Sequence, residues 1–265
     1  ADQRYHLVVL ASKVAANILS ARTHMILQSG ASAKKWGRLI VGWGGTGGTA
    51  QTQADTSASM RVQLVQLENS PRPEWEMGAA FGALCCTKDP RQELDDLELT
   101  WAMPPFAQAD LPTDAELEAN LDEGVTPLKL VRLGDRVLVT RSVHTLHGAG
   151  LNGNFAMDCS IVEKSDYTKE SVIAAFSAYK GKTLKSLSPA GRPSTITPDR
   201  ATTILTGRLQ LLDSEDYVQG TKIYSKAGSI VAQVNGVNPD RVDCAYPFHP
   251  TRSAHFWAIK ETYTF

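Results

Sequence analysis

The first third of the chain alternates strand-type and helix-type stretches in the order that marks a parallel sheet. Tyr5 to Leu10 is a short apolar run, and Ala11 to Gln28 then carries Val14, Ile18, Ala21 and Met25 at helical spacing before Gly30. Arg38 to Val41 predicts a second strand, followed by a glycine-rich turn and a short polar helix over Thr49 to Met60. Arg61 to Leu67 places Val62 and Leu64 on one parity and Val65 and Leu67 on the other, the pattern of a strand buried on both faces. Strand, helix, strand, helix, strand is the order of βαβ units, whose crossovers force the strands to run the same way.

Beyond Pro71 to Pro73 the pattern loosens. Trp75 to Cys86 suits a packed helix and Leu94 to Met103 a short strand, ended by Pro104 and Pro105. Thr113 and Glu116 have capping-box spacing, in which hydroxyl and carboxylate each satisfy an exposed backbone N–H; Gly124 is placed to follow that helix. From Pro127 the period becomes two, with Leu128 and Leu130, then Val137 and Val139, flanking a hairpin turn at Gly134 and Asp135. His147 to Asn154 reads as loop and Lys169 to Tyr179 as a helix with Val172, Ile173, Phe176 and Tyr179 on one face, followed by Gly181. Ser188 to Pro193 is a turn-rich connection. Thr197, Pro198 and Asp199 form a strong helix start ahead of Ile204, Leu205, Leu209 and Leu212. Ile230, Ala232 and Val234 alternate, as do Val242, Cys244 and Tyr246, around a turn at Asn235 to Asp240. The fold class is α/β: a βαβ core domain with a mixed sheet, then C-terminal helices and antiparallel strands.

Composition narrows the function. Hydrophobic residues make up 42% and charged residues 21%, too apolar for a disordered chain and without the roughly eighteen uninterrupted apolar residues of a spanning helix. Twenty-seven basic against 28 acidic residues leave a net charge of −1, so no overall field recruits nucleic acid or anionic lipid. The four cysteines, Cys85, Cys86, Cys159 and Cys244, fit no disulfide framework and read as reduced thiols of a protein made in the cytoplasm. The chain opens at Ala1 with no methionine or leader and enters an apolar run almost at once; the expectation is that an N-terminal portion of the full protein is missing.

One stretch invites an enzymatic reading. Gly42, Trp43, Gly44, Gly45, Thr46 and Gly47 match G-x-G-x-x-G after a strand and before a helix, and the next strand ends near Glu68. The alternative function is therefore an NAD(P)-dependent oxidoreductase using the Gly42 to Gly47 loop. Against it, the following helix is short and polar, a complete βα unit precedes the motif, and no catalytic constellation follows. Tight turning or close backbone packing uses glycine equally well. No lysine follows the glycines in the manner of a P-loop.

Other constellations are weaker. Ser142, His144 and His147 lie near each other without a nucleophile elbow. Cys244, His249 and His255 match no zinc spacing, and a thiol on a buried strand face explains Cys244. Glu93, Asp95, Asp96 and Glu98 lack a partner base and fit a solvated turn. The final segment, His255 to Phe265, carries Trp257, Ile259, Tyr263 and Phe265 on one parity. Such an edge needs covering, by its own sheet or by a neighbouring chain.

Several stretches, in order over nearly the whole chain, resemble the sheath protein of the contractile tails of Mu-like phages. Glu123 to Leu128, followed by Gly134 to Thr145 (GDRVLVTRSVHT), is similar to that family's "G-V-T-P-L … G-x-V-x-I-V-R-S-I-T-T" hairpin. Arg4, Tyr5 and His6 resemble the start of its α/β domain; Ile196, Thr197 and Pro198 resemble its "I-V-T-P" segment, and Val237 to Val242 its "D-P-N-R-V" segment. Lys164 to Pro193 and Pro247 to Phe265 depart from the pattern. The resemblance implies an α/β core over residues 1–146 and a C-terminal sheath domain over 147–265 that ends in an inter-subunit arm. It implies a non-enzymatic subunit without cofactor or metal, stacking as hexameric rings around a tail tube and contracting by repacking rigid subunits. Its partners would be copies of itself, the tube protein, and the baseplate and tail terminator proteins, with no nucleic acid and no direct membrane insertion. Its place would be the virion tail, after assembly in the host cytoplasm. Phe256, Trp257, Ile259, Tyr263 and Phe265 are the expected subunit-interface residues.

Overall fold

A computed structural model describes residues 6–30, 33–100, 102, 111–130, 136–147, 157–185 and 195–252. They fall into two compact units that divide between Val162 and Glu163.

The first unit is built on the sheet that the alternating pattern predicts. Strands β1 (Leu7–Leu10), β2 (Arg38–Trp43), β3 (Val62–Gln66), β4 (Val125–Leu130) and β5 (Val137–Val139) lie side by side in the order of the chain. The first three pairings are parallel, with Val9 opposite Ile40, Leu39 opposite Val62 and Leu64 opposite Val125. The last is the antiparallel hairpin, with Leu128 opposite Val139 and Leu130 opposite Val137; its turn lies outside the described residues. Strand β4 changes partner part-way. Val125 to Pro127 pair with β3, and Leu128 to Leu130 pair with β5. Pro127, which has no N–H to donate, stands at this handover.

Every residue of β3 is buried, so both faces of the sheet need covers. Helices α1 (Ala15–Gln28) and α2 (Gly47–Ser57) cover one face, where Ile18, Met25, Ala50 and Ala54 meet Leu39, Val41, Val62, Leu64 and Val125. Helix α3 (Glu74–Thr87) covers the other, where Met77 and Phe81 meet Ile40, Val65, Leu128 and Val139. Along α1 the expected stripe is buried at Ile18 and Met25, whereas Val14, its N-cap, is exposed.

Local signals held where a side chain fixes the backbone. At helix α4 (Asp114–Asp122) the Thr113 hydroxyl accepts from Glu116 N–H, and Thr113 N–H donates to the Glu116 carboxylate at 2.7 Å. Gly124 follows with φ of +72°, the left-handed region open to glycine.

The expected strand over Leu94 to Met103 does not form within its described part. Asp96 adopts φ of +60°, which breaks the extension, and the segment instead lines the outer edge of β5 through Leu99 N–H to Val137 O and Val139 N–H to Leu97 O. Helix α5 (Cys159–Ser177) begins well before Lys169. Its buried stripe includes Lys164, Thr168 and Val172, and two polar members of three hide an apolar period. Tyr179 lies beyond its end, and Ile173 is exposed.

The second unit packs α5 residues with α6 (Pro198–Ser214), α7 (Thr221–Lys226) and an antiparallel ribbon of β8 (Val231–Val234) and β9 (Val242–Ala245); β6 (Thr183–Leu184) and β7 (Thr195–Ile196) add a short parallel pair. Thr197 caps α6 by accepting from Arg200 N–H, with Pro198 in the first turn. Val172, Leu205, Leu209, Leu212, Tyr217, Val218 and Ile230 form the core. Ala232 is buried as expected and its N–H donates to Thr202 Oγ1 of α6 at 3.0 Å. Cys244, expected on a buried face, is exposed: α6 packs chiefly on β8 and covers its partner strand β9 less.

Two glycines separate close packing from helix propensity. A Cβ on Gly42 would stand 1.8 Å from Glu74 O, so Gly42→Ala should lower stability in urea by about 3 kcal/mol, the upper end of overpacking costs. A Cβ on Gly207, inside α6, meets nothing within 4 Å, so Gly207→Ala should raise stability by about 0.5–1 kcal/mol.

Candidate functional site

The glycine motif closes the C-terminal end of β2, and the structure shows what fills the space its glycines leave. Gly42 lies against the first turn of α3: a Cβ there would clash with Glu74 O and Gly78 N, and one on Gly78 would come 2.8 Å from Gly42 N. The two glycines let helix and strand backbones touch. Gly44 faces the Glu74 side chain, which pairs with Lys13 Nζ at 3.0 Å. Gly45 is enclosed by Trp43 and Thr49, and Trp43 Nε1 donates to Thr49 Oγ1 at 3.1 Å. The helix begins earlier than expected, at Gly47, because Thr46 caps it by accepting from Thr49 N–H.

On the far side of the loop a cleft of about 460 Å³ lies between the start of α2, the end of β3 and α4. It gathers Thr46, Gly47 and Glu68, three residues of the dinucleotide reading, together with Gln51, Gln66, Glu116 and Asn120. Its wall is a relay of amides. Gln51 Nε2 donates to Asn120 Oδ1 at 2.9 Å, Asn120 Nδ2 to Gln66 Oε1 at 3.2 Å, and Gln66 Nε2 to Gly45 O at 3.1 Å. The space a Cβ of Gly47 would need is occupied by Asn120. Sequence reasoning passed over Gln66 and Asn120; a glutamine at a fully buried strand position was the signal.

The chemistry of this lining opposes a pyrophosphate. Glu68 and Glu116 supply carboxylates, and no Lys, Arg or His is among the described lining residues. Hydrogen bonds from the Thr113 backbone N–H and then its hydroxyl hold the Glu116 carboxyl below its ordinary 4.5, so it stays anionic. Topology opposes it too. Dinucleotides bind where strand order reverses, and the order here runs from β1 to β5 without reversal.

The other candidates disperse. Ser142 Oγ accepts from buried Gln63 Nε2 at 2.8 Å, and Gln63 also bonds Thr126 and Arg38, a polar ladder across the sheet in place of a nucleophile. His144 is buried, and His147 turns towards Asp55 and Glu123. His249 stacks on Tyr224 with centroids 4.8 Å apart; His255 lies outside the described residues. Glu93 meets Ser160, Asp96 meets Lys129, and Glu98 meets Arg136, so these carboxylates are tied down separately and form no acid–base pair. Phe256, Trp257, Ile259, Tyr263 and Phe265 all lie outside the described residues.

No family model matches the sequence, and no curated protein matches it. Solved structures do share the architecture. A tail sheath protein of Listeria innocua superposes with a TM-score of 0.69 at 12% identity, over 95% of this chain and 54% of its own. This chain has a tail-sheath fold. A tail sheath protein of Desulfitobacterium hafniense agrees with a TM-score of 0.63 at 12% identity, over 87% of this chain and 50% of its own. The helical sheath of the anti-feeding prophage in its contracted state gives 0.57 at 13% identity, over 89% and 64%. This chain thus spans about half the length of the two bacterial sheath proteins. No described helix is long and apolar enough to cross a membrane.

Two measurements follow from the loop and cleft. Calorimetric titration with NAD or NADP should give no saturable heat; saturable binding lost in Gly44→Val would restore the oxidoreductase. The lowered Glu116 value means its cap contribution is full above 4.5 and is lost as pH falls through the lower folded value. Glu116→Gln should therefore lower the urea midpoint at neutral pH and flatten its fall below 4.5, so that the two profiles converge in acid.

Proposed function

We propose that this protein is a structural subunit of a contractile tail sheath of the Mu-like kind, assembling as stacked hexameric rings around a tail tube. The observation that carries this reading is the shared fold over 95% of the chain with a tail sheath protein. The ordered sequence motifs point the same way. Contraction, in this reading, exchanges one packing of rigid subunits for another and drives the tube through the host envelope. The subunit works without catalysis and without a cofactor, since the glycine loop serves α3 packing and the cleft presents carboxylates.

The partners are further copies of the chain, the tube protein, and the baseplate and terminator proteins at the two ends. Nucleic acid and direct membrane insertion have no part. The site of action is the virion tail, with assembly in the host cytoplasm. Residues 147–265 form the C-terminal sheath domain, and its last segment is the arm: Phe256, Trp257, Ile259, Tyr263 and Phe265 anchor it by strand addition to a neighbouring subunit. The likeness to the anti-feeding prophage sheath favours a second setting, a prophage-derived particle in place of an infectious phage, which genomic neighbours would separate.

Electron microscopy of the full-length protein should show rings or striated tubes, and a product that stays monomeric at high concentration overturns the reading. Ending the chain after Arg252 spares Thr251, which accepts from Lys164 Nζ at 2.9 Å. That truncation should leave a folded monomer unable to form tubes; normal tubes from it would remove the arm.

A further inference from the structure

Three side chains from separate segments converge beside the ends of two helices. Asp55 lies in the last turn of α2, Glu123 is the C-cap of α4, and His147 follows β5. His147 Nε2 is 2.9 Å from Asp55 Oδ1 and 3.0 Å from Glu123 Oε2. Its Nδ1 is 3.0 Å from Thr145 O. A carbonyl oxygen only accepts, so Nδ1 carries a proton and donates it there.

In the neutral ring Nε2 then presents a lone pair, and it faces two carboxylate oxygens that also only accept. A positive charge is required among the three. Among the described residues no Lys or Arg pairs with Asp55 or Glu123. Both helices also turn their negative ends towards the cluster, which favours a cation and disfavours bare carboxylates. The position is therefore filled by a proton, on the ring or on a carboxyl group, or by a metal ion.

The spacing admits a metal. Ligand atoms about 2.1 Å from one ion lie about 3.0 Å apart at right angles and about 3.4 Å apart in a tetrahedron; the two measured separations, 2.9 and 3.0 Å, match the first and equally suit hydrogen bonds from a charged ring. The imidazole is oriented as metal-bound histidines are, with its other N–H on a backbone carbonyl. The approach is fixed by Gly124: a Cβ there would come 2.9 Å from His144 O and 3.1 Å from His147 Nδ1. His147 is mostly buried and Asp55 is exposed, which leaves one side open to water ligands.

We propose that Asp55, Glu123 and His147 bind a divalent transition-metal cation, held by one imidazole and two carboxylates. The ion clips together α2, α4 and the segment after β5. It stands on these side chains alone and is independent of the sheath reading.

Zinc chloride titrated calorimetrically into the untagged protein tests this. The thiols are alkylated first, since Cys86 and Cys244 are exposed and would compete. One ion per chain is expected, with a rise in thermal midpoint in excess zinc. The double variant Asp55→Asn, Glu123→Gln should keep its circular dichroism and bind at least about 10-fold more weakly, and His147→Gln should behave alike. If His147→Gln fails to fold, the double variant decides. Absence of saturable heat in the parent, as a ring held by a second proton would give, overturns the proposal. Unchanged affinity in the double variant does so too.

Discussion

The burial of β3 on both faces is the constraint from which the first unit follows. A strand with Val62 and Leu64 on one side and Val65 on the other cannot leave either side to water. Two helices answer on one face and one on the other, and that single helix lies close against β1 and β2. Gly42 and Gly78 permit that approach by letting backbone meet backbone. What resembles a nucleotide fingerprint in the sequence is thus absorbed by packing. The motif's first glycine is required, but by the protein's own helix.

The same strand carries two buried glutamines, which makes the sheet polar at its centre as well as apolar. Gln63 joins Arg38, Thr126 and Ser142 across neighbouring segments, and Gln66 joins Asn120 and Gly45. Buried amides cost free energy unless paired, and these are paired on several sides, so they fix register where apolar residues alone would tolerate slippage. The segment after β5 is fixed likewise. Arg141 holds Asp158 through two bonds, of 2.7 and 3.0 Å, and His144 N–H donates to Met157 O.

The second unit is smaller and relies more on its chain-local signals. The α6 start at Thr197 and Pro198 and the stripe of Leu205, Leu209 and Leu212 formed as their sequence suggests. In α5 the apolar signal was lost because polar residues, Lys164 and Thr168, had taken buried places. Lys164 is tolerated there because its ammonium reaches Thr251 O.

The sequence by itself determined the alternation of strands and helices over the first three strands, their parallel sense, the capping box at Thr113 and the hairpin after Pro127. Each depends on neighbours within a few residues or on the period of apolar side chains. Tertiary structure alone decided that the Gly42 loop packs on α3, that Gln66 and Asn120 wall a cleft lined with carboxylates, and that Asp55, Glu123 and His147 meet. Those residues are far apart along the chain, and only the covering of both sheet faces brings them within bonding distance. No local pattern records a distance that packing sets.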